Sequence, residues 1–252
     1  MQLVILTALG VGGATIVGAL IGFAFKKISH KFNDIVLSFA AGIMLCAAVM
    51  GLIVPSLELG GRFSPAIAVI GIFCGAICLN LLDKLVPHLH NIMGVDGEAH
   101  PDKTREINKI LLFVSAIAIH NFPEGIAAGV GFGTENTTEA IVIALGIALQ
   151  NIPEGMIIIA PMLAAGISRR RTLLCAVATG LVEIVGTLFG YLAVSISSAI
   201  LPFALAFAGG TMLYVISYEM IPETHAHGSE RGATYSLLFG FCLMLLIDFF
   251  LG

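Results

Sequence analysis

HNFPEG at His120–Gly125 and QNIPEG at Gln150–Gly155 are two copies of one pattern, (His or Gln)-Asn-x-Pro-Glu-Gly, starting 30 residues apart. Each copy sits in the middle of a long apolar run. An ionisable side chain at mid-bilayer costs about 2.5–3.5 kcal/mol on insertion scales, taking Glu to behave like Asp. Two glutamates placed alike in adjacent apolar segments are therefore expected to have a use.

The surrounding composition fits a membrane. Of 252 residues, 58% are hydrophobic and 11% charged, with mean hydropathy +1.02, whereas soluble domains carry about 25% charged residues. The chain reads as all-α and polytopic. A span needs about 20 mostly apolar residues. Eight such runs occur, at roughly 2–25, 34–57, 64–86, 107–132, 139–163, 172–194, 200–221 and 233–251. The connections are short, so one transmembrane domain fills 1–252. The first run has no Lys or Arg before it, so it reads as a retained span and not as a signal peptide. All five cysteines lie inside apolar runs and read as packing residues. No basic patch outside the loops suggests nucleic acid. Small-xxx-small pairs at Gly18/Gly22, Gly71/Gly75, Gly125/Gly129 and Gly186/Gly190 let helices approach closely. Intramolecular packing is their main expected use, and a homodimer contact is the other.

Charge sets the expected orientation. Eleven of the twelve Lys and Arg residues fall in the connections after spans 1, 3, 5 and 7, leaving only Arg62 on the other side. Basic loops stay in the cytosol, so both termini are expected outside, in the cell membrane. The longest connection, 87–106, is then a cytosolic loop carrying His88, His90 and His100. It reads as a solvated loop or as a mobile metal-collecting one. Span 2 ends in IVPSLE (Ile53–Glu58) and span 7 in MIPETH (Met220–His225). This faint likeness suggests a 3 + 2 + 3 arrangement with inverted outer triples.

Within span 4, His120 and Glu124 are four residues apart and share a face, which Asn121 joins. Pro123 has no N–H, which frees a carbonyl one turn earlier. Span 5 repeats the set with Gln150, Asn151, Pro153 and Glu154. The turn at about Gly133–Thr138 makes the two spans antiparallel neighbours. Span 6 adds Glu183 near its midpoint, with Thr179 one turn before. Three glutamates at that depth would cost about 8–10 kcal/mol, and no Lys or Arg is there to pair with them. The compensating charge is therefore expected from outside, as protons or metal ions. Nitrogen and oxygen donors without thiolate favour Zn(II), Fe(II), Mn(II) or Cd(II) over Cu(I), and the histidine argues against Mg(II) and Ca(II). Asp83, His88 and Glu219 fall near the cytosolic ends of spans 3 and 7. They form either an exit-side site or an ordinary interfacial group. Asp248 lies near the outer end of span 8 and reads as interfacial.

With these residues in view, the chain resembles the ZIP (Zrt/Irt-like) metal transporters, most of all the bacterial GufA-like branch. The resemblance rests on eight spans, the loop after span 3, the two Pro-Glu-Gly motifs and Glu183. It implies transport of zinc, and of other divalent transition metals, into the cytosol through a midplane binuclear centre. The implied ligands are His120, Asn121, Glu124, Gln150, Asn151 and Glu154, with Glu183 completing the second site. It also implies a 3 + 2 + 3 inverted repeat and elevator-like motion. Gln150 stands where many relatives have His, which implies a softer or broader first site, and Tyr218 stands where relatives often have His. No P-loop is present, so ATP is not expected to drive transport. An intramembrane metalloprotease would need HExxH, and none occurs. A proton-coupled carrier or channel for another substrate is the nearer alternative.

Overall fold

The computed structural model describes residues 1–24, 29–85, 121–134, 136–164 and 166–251. The described residues form helices and turns with no strand. We number the long helices α1 (Gln2–Ala24), α2 (His30–Leu59), α3 (Ser64–Leu85), α4 (121–131), α5 (Thr137–Ala164), α6 (Arg169–Ile196), α7 (Leu201–Thr224) and α8 (Glu230–Leu251). Seven are long and apolar enough to cross a bilayer; α4 is described over 121–131 only.

Local chemistry places the helix ends. Ser29 caps α2, its hydroxyl accepting from the Phe32 N–H at 3.2 Å. At the end of α5, Ile167 N–H bonds Met162 O and Gly166 N–H bonds Leu163 O, with Gly166 at φ +80°. That pairing closes a helix with a left-handed residue, which glycine adopts without strain. Two helices contain a π turn, Ala47–Ile53 in α2 and Ile216–Met220 in α7. Pro55 and Pro222 stand two residues beyond these turns, and neither can donate to the carbonyl four residues back, Gly51 or Tyr218, which lies inside the turn.

The sorting of polar and apolar residues is that of a chain in lipid. Phe73, Phe189, Phe239 and Phe249 are exposed, whereas Asn121, Glu124, Gln150, Asn151 and Glu183 are buried. In water that arrangement would be inside out.

Glycines set which helices touch. α1 runs along α5 and α6, α2 along α8, and α3 along α7. A methyl group on Gly18 would lie 2.1 Å from the Ile152 carbonyl oxygen, one on Gly12 2.2 Å from that of Gly180, and one on Gly129 2.0 Å from that of Thr187. These contacts join α1, α4, α5 and α6 backbone to backbone. Gly42 and Gly240 do the same for α2 and α8, and Gly75 and Gly210 for α3 and α7. Where α5 meets α2 and α8 the neighbours are side chains: Gly51 meets Ile143, and Gly146 meets the tip of Met244. An apolar cleft of about 430 Å³, lined by Ile21, Phe39, Pro153 and Phe239 among others, opens along the same boundary.

Candidate metal site

The α4–α6 contact brings the first Pro-Glu-Gly copy to Glu183. A methyl group on Gly125 would fall 2.3 Å from the Glu183 carbonyl oxygen, and Gly186 approaches the Phe122 carbonyl equally closely at 2.5 Å. The α1–α5 contact does the same for the second copy, with Gly155 set against the Thr15 carbonyl at 2.1 Å. Glycine after each glutamate is thus what lets a neighbouring backbone pass beside the carboxylate.

Glu183 is fully buried, and it is the hydrogen-bond hub of this region. Its Oε1 accepts from Thr15 Oγ1 at 2.8 Å and from the Asn121 amide nitrogen; its Oε2 accepts from Asn151 Nδ2 at 2.8 Å. Asn151 Nδ2 also reaches the Val11 carbonyl at 3.2 Å, and Gln150 Nε2 stands 3.5 Å from Asn151 Oδ1. An amide that donates through nitrogen turns its oxygen the other way. Both asparagine oxygens therefore face away from Glu183.

Glu124 is the complement. It is 1% exposed, and neither carboxylate oxygen has a hydrogen-bond partner among the described residues. Glu154 and Glu183 are near enough to repel its charge, and the Gln150 side chain is near enough to ease it, although not at hydrogen-bond geometry. A buried carboxylate without partners is expensive, and mutual repulsion adds to the cost. Glu154 is half-buried in α5.

The expected midplane residues Asn121, Glu124, Gln150, Asn151, Glu154 and Glu183 thus come together, while His120 lies outside the described residues. Among the described residues no three His, Cys, Asp or Glu side chains stand close enough to hold a metal ion. Half of the converging set is amide, and Glu183 is turned toward its donors. Of the exit-side trio, Asp83 is in the last turn of α3, and Glu219 is half-buried in the π turn of α7. His88 and the loop 87–106 lie outside the described residues.

Thr15 was not legible as part of this site. A threonine alone in an apolar run looks like packing, and its only signal is its register beside Gly12 and Gly18 on the close-contact face. Replacing Thr15 with Val should lower the melting temperature of the metal-free protein in detergent, by the equivalent of about 1 kcal/mol, with Thr15→Ser largely restoring it. An unchanged melt in Thr15→Val would show the bond contributes nothing.

The comparisons with known proteins agree on one family. The model of the ZIP Zinc transporter family matches residues 95–248. The chain is 41% identical over 247 residues to the zinc transporter GufA of Myxococcus xanthus, covering 96% of both chains. It is 38% identical over 248 residues to the zinc transporter ZIPB of Bordetella bronchiseptica, covering 95% of this chain and 78% of that one. Against the zinc transporter ZupT of Chlorobaculum parvum it is 34% identical over 246 residues, 92% and 91% covered.

Proposed function

The chain belongs to the ZIP zinc transporter family, and from that premise we propose that it carries zinc into the cytosol through the ligand set between α4, α5 and α6. It is a multi-pass membrane transporter and not an enzyme. The observation that carries the reading is Glu124: buried, without a partner among the described residues, and beside two further carboxylates. With no Lys or Arg within ten residues of Glu124, Glu154 or Glu183 along the chain, a mobile cation is the remaining counter-charge.

The donor set divides the work. Glu124 and Glu154 bring two negative charges, enough to neutralise one divalent ion, with His120 and Gln150 as neutral ligands. Asn121 and Asn151 supply amide oxygens, aimed by their bonds to Glu183. Both Glu183 oxygens already accept hydrogen bonds, so a second ion shares this carboxylate with Thr15, Asn121 and Asn151. The second ion of the binuclear centre is therefore the weaker one. An amide at position 150 in place of imidazole makes the first site less selective, which extends the substrates to Cd(II), Fe(II) and Mn(II).

Motion follows from how the helices are sewn together. Backbone-to-backbone glycine contacts hold α1, α4, α5 and α6 as one body that carries the ligands. The boundary with α2 and α8 is made of side chains and an apolar cleft. Side chains re-pack where interlocked backbones do not, so this boundary is where an elevator-like displacement would slide. The 3 + 2 + 3 reading gains support from the two π turns, which precede IVPSLE and MIPETH at equivalent places. The four small-xxx-small pairs are taken up by intramolecular contacts, so a homodimer would form through another face. The basic residues assign the α1–α2 and α7–α8 turns to the cytosol and both termini to the outside of the cell membrane.

Anomalous scattering at the zinc edge tests this. Two peaks between α4, α5 and α6 are expected, with one lost in Glu183→Gln and the other kept. Absence of zinc density from that region in the unmodified protein would overturn the reading.

A further inference from the structure

At the end of the bundle where α2 begins, remote in sequence from the Pro-Glu-Gly motifs, Asp34 sits in the second turn of α2 and is 1% exposed. Its Oδ1 accepts a hydrogen bond from His227 Nδ1 at 3.0 Å. His227 arrives from the α7–α8 turn, positioned by Gly228 at φ +78°. The ring of His30, the first residue of α2, stacks on that of His227, with centroids 4.9 Å apart and planes inclined by 26°. Asp34 Oδ2 has no hydrogen-bond partner among the described residues.

A carboxylate that accepts from one imidazole nitrogen fixes the tautomer and makes the other nitrogen a better metal ligand. His227 donates through Nδ1, so the lone pair is on Nε2, on the far side of the ring from Asp34. The His227 side chain is 30% exposed, and His30 beside it is exposed. We propose that His227 and His30, with Asp34 as the positioning residue, bind a borderline divalent transition metal whose remaining coordination is water. Imidazole donors select zinc-like ions over Mg(II) and Ca(II). Two protein nitrogens hold an ion more loosely than a closed four-ligand site. That suits a surface which takes up an ion and passes it on. The site is independent of the midplane set and does not rest on it.

The test uses the full chain in nanodiscs, carrying Glu124→Ala and Glu154→Ala so that midplane binding is silent. Histidines are modified with diethyl pyrocarbonate and read residue by residue by mass spectrometry, with zinc or magnesium chloride added. Zinc at four times its Kd should slow modification of His30 and His227 about fivefold. Magnesium should not, and His225, whose Nδ1 is held at the Ile221 carbonyl, should be unaffected by either. His30→Ala should abolish zinc protection at His227, read as the ratio of its modification rates without and with zinc, so that the exposure gained on losing the stacked ring cancels. Asp34→Asn should raise the zinc needed for half-protection about tenfold. If zinc has no effect, the Asp34–His227 pair is only a fastening between α2 and the α7–α8 turn, and the proposal fails. It fails equally if protection of His227 survives His30→Ala. Because the midplane is silenced, failure of the transport reading leaves this result unaffected.

Discussion

Replacing Glu124 or Glu154 with alanine will abolish zinc uptake into reconstituted vesicles while the protein still inserts and folds. A divalent ion between two carboxylates is neutralised. With one carboxylate gone it holds an uncompensated charge in a buried site, which costs about 3–5 kcal/mol, or roughly 10²–10⁴-fold in affinity. The same substitution has the opposite effect on the empty protein. Glu124 is buried, unpartnered among the described residues and repelled by its neighbours. Removing it deletes the cost of a buried group without a hydrogen-bond partner, about 1–3 kcal/mol, so metal-free Glu124→Ala should melt higher than the unmodified chain. A structural carboxylate would behave otherwise, losing stability without losing flux. Zinc flux unchanged in Glu124→Ala, measured with a zinc-sensitive dye inside the vesicles, would remove Glu124 from the site.

The second large effect is on assembly. Gly129→Val should prevent α4 from seating on α6. Its added carbon would meet the Thr187 carbonyl oxygen at 2.0 Å and the Tyr191 nitrogen at 2.8 Å, both backbone atoms that cannot rotate aside. Overpacking in a core costs typically 1–3 kcal/mol where side chains can give; here the helices themselves must part. A loss of about 3 kcal/mol or more corresponds to a melting point lower by about 10 °C. The parting would also draw Asn121 and Glu124 away from Glu183. Gly13→Ala is the matched control, because nothing lies within 4 Å of the added methyl. A monodisperse size-exclusion peak and an unshifted melt for Gly129→Val would show that this contact is not what holds α4.

Most of the fold was legible because lipid imposes so few solutions. A backbone that must satisfy its own hydrogen bonds becomes helical wherever the apolar run is long enough, and the eight runs could be counted directly. The close-contact glycines were visible as spaced pairs, although not their partners, since spacing along one helix says nothing of which neighbour it meets. The π turns were not legible. The sequence shows Pro55 and Pro222, but a proline equally predicts a kink. The midplane residues announced themselves through repetition, two copies of a costly pattern. What the sequence could not show was the direction of the bonds. Glu183 reads in the sequence as a candidate ligand, and only the fold shows that its oxygens also accept from Thr15, Asn121 and Asn151. The Asp34–His227 pair joins residues 193 positions apart, a distance over which single-sequence spacing carries no signal.

The widened turn in α2 has a consequence for anything that alters its length. It accommodates a surplus residue, and each residue advances a helix by about 100°. Everything from Val54 to Leu59 therefore points about a quarter-circle away from where an unbroken spiral would aim it. Ser56, whose hydroxyl reaches the Pro202 carbonyl at 2.7 Å, makes that bond only in the shifted phase. Excising one amino acid between 47 and 53 would heal the spiral, yet swing that hydroxyl off its target. The damage would surface where α7 starts, not at the cut.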